Sequence, residues 1–139
     1  MSVEVDVLYQ GGLRCAATHQ PSGQTLTTDA PVDNGGRGEA FSPTDLIATG
    51  LGTCILTIMG LAAQHSGLDL SGTRMHVIKE MAAKPLRRIG ALTVLITLPE
   101  GKPISPTDRV KLERAAELCP VKQSLHPDID IHIEFAYPS

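Results

Sequence analysis

Tryptophan is absent from this chain, and aromatic residues make up only 3% of it. Hydrophobic residues reach 42%, so a core can form, but it has to be aliphatic. An excess of positive charge is also missing. The net charge is −3 with no long basic run, which argues against a nucleic-acid surface. Cysteine is scarce as well. Three cysteines do not build a disulfide framework, and there is no C-x-x-C pair, while the five histidines are scattered, so no metal-ligand spacing emerges. The glycines of "DNGGRGEA" (33–40) lack the strand-to-helix fingerprint of a phosphate loop. The opening "MSVEVDVLYQ" carries acidic residues and alternates like a strand, without the pattern of a secretory leader. A cytoplasmic, reducing setting is expected, where cysteines serve packing, metal binding or catalysis.

What is present reads as one domain over 1–139. Val3, Val5 and Val7 alternate as in a strand. "QGG" at 10–12 turns the chain into a second strand at 13–20, and "PSG" at 21–23 turns it into a third at 24–29. A Gly-rich loop with Arg37 and Glu39 follows at 31–41. The tetrapeptide "SPTD" then occurs twice, at 42–45 and at 105–108. Serine is a preferred helix cap, proline suits the first helical position, and an acidic residue three positions after the cap can bond back to it. The flanking segments share nothing further, so the copies are two helix starts rather than a repeat.

The first helix is predicted from about Pro43 to His65 or Ser66, with Gly67 as its stop. Residues 46–63 carry no charge. A membrane span is the first alternative for such a run, but it barely reaches the usual ~20 residues. It also holds three glycines and three threonines between strand-like segments. A helix buried on most of its surface is the preferred reading. A hairpin at 73–82 and 87–99, a second helix from Pro106, and a strand at 129–137 complete the order βββ-α-ββ-α-β, an α+β pattern. One small chain does not easily cover a helix apolar on nearly every face, so a two-fold homodimer is expected.

Cys54 lies mid-helix among Gly50, Leu51, Thr57 and Ile58. Packing is its plainest role, because an apolar setting raises a thiol pKa and reactivity would need a positive partner. Cys119 precedes Pro120, where a helix should break. A new turn can start there with Cys119 as its cap, placing the thiol at a positive dipole end that favours thiolate. Packing remains an equal reading for Cys119, and Cys15, on a strand, is read as packing.

The segments "FSPTDLIATGLGTC" (41–54) and "LCPVKQSL" (118–125) make the chain resemble the OsmC/Ohr family of osmotically inducible and organic hydroperoxide resistance proteins. "QGGL", "LTTDAP" and "RRIGALTVLITLP" support the likeness, which spans nearly the whole chain. The resemblance implies antiparallel sheets wrapped around long central helices in an intertwined homodimer, with active sites at the subunit interface. It implies a peroxidase acting on organic hydroperoxides, with Cys54 as peroxidatic and Cys119 as resolving thiol. The reductant would be an external dithiol or a lipoylated protein, with no metal or flavin, no nucleic acid and no membrane. Peroxidase members stabilise the thiolate with an arginine from the first hairpin. Arg14 sits one position beyond the matching place, so Arg37 in the loop is an equal candidate. The glutamate that holds this arginine in Ohr-type members is replaced by Thr44, and Asp45 falls on the helix face opposite Cys54. A non-peroxidase OsmC-like protein, binding a small apolar ligand or handling another sulfur species, is the alternative.

Overall fold

The structure, a computed structural model, describes residues 1–138. Two compact units partition the chain, residues 1–47 and 48–139, and each has its own three-stranded sheet.

The first unit is a meander of β1 (Val5–Gly11), β2 (Arg14–His19) and β3 (Thr25–Asp29), antiparallel throughout. Its first turn has three successive residues at positive φ, Gly11, Gly12 and Leu13. Glycine adopts that conformation freely and leucine does not. Leu13 is held there by its N–H donating to the Tyr9 hydroxyl and its carbonyl accepting from Ala30 N–H. The alternation at 3–7 predicts a strand. β1 is a strand, but Val7 is 65% exposed and Leu8, on the opposite face, 67%. Within this unit neither face is covered.

The loop after β3 contains a single 3-10 turn at Val32–Asn34, which composition did not signal. It folds back onto the end of its own strand. Gly38 N–H donates to the Ala30 carbonyl and Gly36 N–H to the Pro31 carbonyl. A Cβ at Gly36 would lie 1.8 Å from the Ala30 oxygen, so only glycine fits this crossing.

The unit boundary falls within α1 (Pro43–His65). Both "SPTD" segments are helix starts, as predicted. Ser42 and Asp45 form a reciprocal cap, Asp45 N–H to Ser42 Oγ at 3.1 Å and Ser42 N–H to Asp45 Oδ2 at 2.9 Å. Ser105 Oγ caps α2 (Pro106–Glu117) by accepting from Asp108 N–H. Gly67, at φ 69°, ends α1, and Leu68 N–H closes onto the Ala63 carbonyl.

The second unit continues with β4 (Arg74–Ala82), β5 (Arg88–Thr97), α2, α3 (Pro120–Ser124) and β6 (Asp130–Ala136), with sheet order β4-β5-β6. This sheet is mixed rather than wholly antiparallel, because β6 runs parallel to β5. The helical crossover through α2 and α3 supplies the long connection a parallel pair requires. Leu51, Ile55 and Met59 of α1 form a fully buried stripe against Leu92, Val94 and Ile96 of β5, joined by Leu112, Ala116 and Cys119. Each large aliphatic side chain buried there stabilises the fold by roughly 1.5–3 kcal/mol. Gly52 lets α1 approach β4, since a Cβ there would lie 2.7 Å from Met75 Sδ and 3.0 Å from Val77 Cγ2.

By length and composition α1 could cross a membrane. The buried stripe accounts for one face of its apolarity. Leu61, on another face, stays 51% exposed.

Candidate functional site

Two of the cysteines singled out from sequence meet in the second unit. Cys54 is half-buried in the middle of α1. Cys119 is fully buried at the junction of α2 and α3. Cys54 packs against the buried cluster that contains Cys119, close enough to act on the Cys119 thiol. Neither spacing nor periodicity brings them together; it takes the packing of α2 against the α1–β5 core.

The local sequence explains how Cys119 is held. Proline at 120 ends α2, and Cys119 adopts an extended backbone at φ −62°, ψ 137°, which makes it the N-cap of α3. Its sulfur accepts from Lys122 N–H at 3.3 Å. Gln123 secures the break from both sides, with its N–H on the Cys119 carbonyl and its side-chain amide on the Glu117 carbonyl. The Lys122 ammonium is committed to Glu117 at 2.7 Å. The expected drift of Cys119 toward thiolate does not prevail. Burial pushes its pKa up and the Cys54 sulfur pushes it further, against the lowering by the Lys122 N–H. Cys119 is therefore held in its protonated form. Cys15 lies on β2 opposite Thr28 and Tyr9, in the other unit.

The two candidate arginines belong to the first unit, where they share a carboxylate. Arg14 reaches Asp29 Oδ2 at 3.3 Å and Glu39 Oε1 at 2.5 Å. Arg37, with its side chain 81% exposed, lies 3.9 Å from the same Glu39 oxygen. Asp29 is buried, and its carboxyl is held below the usual carboxylate range, first by the Glu39 N–H at 3.0 Å and then by Arg14. Its other oxygen, Oδ1, has no hydrogen-bond partner among the described residues. Arg14 does not follow regular strand alternation from the turn. Leu13 is left-handed and the β1–β2 register slips between Tyr9 and Gly11, so alternation does not carry through the turn. Asp45 serves the helix cap, as its position on α1 implied.

Asp29 and Glu39 went unnoticed as arginine partners. Folding the chain symmetrically about "PSG" at 21–23 sets Ala30 across from Arg14, one position off the observed partner Asp29, so the turn locates Asp29 only approximately. Glu39 gave no such signal, because its place depends on the loop's backbone bonds. Among the described residues no group of three or more His, Cys, Asp or Glu side chains could hold a metal ion.

Residues 36–134, which include both cysteines and the break between α2 and α3, match the OsmC family, described as OsmC-like protein. The chain belongs to the OsmC-like family. No curated protein matches this OsmC-like chain. Among solved structures it is similar to a Psychrobacter arcticus protein provisionally named an osmotic-stress-induced and detoxification-response protein. The identity is 42% over 97% of this chain and 96% of that one, with a TM-score of 0.90. The OsmC-like protein of Mycoplasma pneumoniae shares the fold at 15% identity, covering 100% of this chain and 99% of that one, TM-score 0.81. An organic hydroperoxide resistance protein of Legionella pneumophila does so at 16%, covering 98% and 97%, TM-score 0.77. The OsmC-like fold, α+β with two small sheets and helices, is thus common to all three.

Proposed function

We propose that this OsmC-like protein is a thiol peroxidase that reduces organic hydroperoxides, with Cys54 as the attacking thiol and Cys119 as the resolving one. The observation that carries this reading is a half-buried thiol packed against the core cluster that holds a fully buried one, close enough to act on it. Their unequal settings support the division of roles. Cys119 is sealed in the core and held protonated, so Cys54 is the thiol a substrate can reach.

The Cys54 thiolate attacks the distal peroxide oxygen, the O–O bond breaks, and the alkoxide leaves as the alcohol after taking a proton. Cys54 is oxidised to the sulfenic acid. The Cys119 sulfur then attacks the Cys54 sulfur, water departs, and a disulfide forms that shields Cys54 from over-oxidation. An external dithiol, free or carried on a lipoylated protein, restores both thiols by exchange, and no bound cofactor takes part. The family match and the organic hydroperoxide resistance names among its structural relatives support the same substrate class. Arg14 or Arg37 is the cation proposed to favour the Cys54 thiolate. A cytoplasmic homodimer is the proposed working form.

The test is turnover of an organic hydroperoxide with dihydrolipoamide. One equivalent of peroxide should consume two thiols per chain, and peptide mapping should find the 54–119 link. Cys119→Ser should retain a first turnover and then accumulate sulfinic acid at Cys54, whereas Cys54→Ser should lose even the first. Full activity in Cys54→Ser, or a disulfide through Cys15, would overturn the assignment. One observation favours the second reading, a non-peroxidase that binds a small apolar ligand or handles another sulfur species. Arg14 is already neutralised by two carboxylates. Absence of turnover alongside ordinary thiol labelling of Cys54 would establish that alternative.

A further inference from the structure

A cavity of about 360 Å³ lies in the second unit, between the segment after β5, the start of α2 and the end of β6. Leu98, Pro99, Pro103, Ile104 and Tyr137 supply its apolar wall. Arg109 and Lys102 supply its charge, and no acidic residue lines it among those described. Arg109 and Cys119 sit at opposite ends of α2, ten residues or roughly 15 Å apart at 1.5 Å per residue. The cavity is thus separate from the thiol pair, and the inference does not depend on the peroxidase reading.

Two side chains in it are set in fixed poses. The Tyr137 hydroxyl donates to Glu113 Oε2 at 2.9 Å, which leaves the ring as a flat wall. The Arg109 guanidinium rests 4.3 Å from the centre of that ring, and its Nε–H donates to the Ile104 carbonyl at 3.0 Å. The two terminal amino groups of Arg109 have no hydrogen-bond partner among the described residues. Lys102, by contrast, is occupied by the Ser71 carbonyl at 3.1 Å and by Asp69. A planar fork of donors, oriented by stacking and with its far side already bonded, matches the two oxygens of a carboxylate. The apolar wall takes a hydrocarbon body, and the volume lies at the small end of the roughly 300–1,000 Å³ range of ligand sites.

We propose that this cavity binds a small, mainly apolar monocarboxylate, with the carboxylate on Arg109 and the hydrocarbon against Tyr137, Ile104 and the prolines. The probe is octanoate, titrated into the full chain and followed by two-dimensional NMR, with octanol as the neutral control. Octanoate should bind saturably, with shifts centred on Leu98, Ile104 and Tyr137, and octanol should bind at least tenfold more weakly. Arg109→Gln should weaken octanoate at least tenfold and leave octanol nearly unchanged. Pro103→Glu, at an exposed position, should reject octanoate by placing a carboxylate at the mouth, and it decides the matter if Arg109→Gln does not fold. No saturable binding, equal affinity in a folded variant, or shifts centred on Cys54 and Cys119 would each overturn the proposal.

Discussion

At Cys119 two influences oppose each other, and the balance shapes the chemistry. As cap of a short helix the thiol gains a backbone donor, the Lys122 N–H. As a fully buried core residue it loses the water that would solvate a thiolate. Burial is the stronger influence, and the direction is upward. The folded chain therefore keeps a proton that the unfolded chain releases. The stability this contributes is complete below the ordinary thiol pKa of about 8.5 and is lost as pH rises toward the folded value. Urea unfolding of the parent and of Cys119→Ala should show it. The stability gap between the two should be widest at neutral pH and shrink in alkali. A constant gap would mean that Cys119 titrates alike in both states. Tyr137 is also raised, by burial and Glu113, but it is common to both proteins and cancels in the difference.

Most elements of the chain were legible because their signals are local. Serine, proline and aspartate at 42–45 and 105–108 mark helix starts through bonds made within four residues, and Gly67 marks a stop the same way. The break at Cys119–Pro120 follows from the missing proline N–H. The direction of β6 beside β5 was not legible, because alternation is identical in parallel and antiparallel strands. Nor was the meeting of Cys54 with Cys119, which depends on how α2 packs. Gly52 belongs to the same class: composition shows a helix-weakening glycine, and only packing shows that it admits β4. Gly52→Ala must displace Met75 and Val77 and should cost roughly 1–3 kcal/mol, while Gly52→Asp should not fold. Gly60 has open space within its own chain. Gly60→Ala should stabilise by about 0.5–1 kcal/mol if that face stays free, and destabilise if another subunit seats on it. Thermal melts of these variants against the parent check both.

The surface left over sets the scale of the whole molecule. β1 exposes Val7, Leu8 and Tyr9 by more than half, on both faces of a strand that one unit alone does not cover. On α1, Leu61 lies outside the buried stripe, and a Cβ at Gly50 or Gly60 would meet nothing within 4 Å. Scattered apolar residues are ordinary on a protein surface, but a two-sided apolar strand and an uncharged helix face in one small chain call for a cover. A second copy of the chain is the simplest one, because two-fold symmetry lets the same patch cover itself. Light scattering on the purified protein should therefore give a dimer at micromolar concentration. The melting temperature should rise with protein concentration, since an obligate dimer gains stability by mass action. Leu61→Glu places a charge on the uncovered helix face without touching the buried stripe, so it should abolish the dimer and lower the melting temperature in the same step. A monodisperse monomer whose melting temperature is independent of concentration, and unmoved by Leu61→Glu, would show that these surfaces tolerate water, and the homodimer would have to be abandoned.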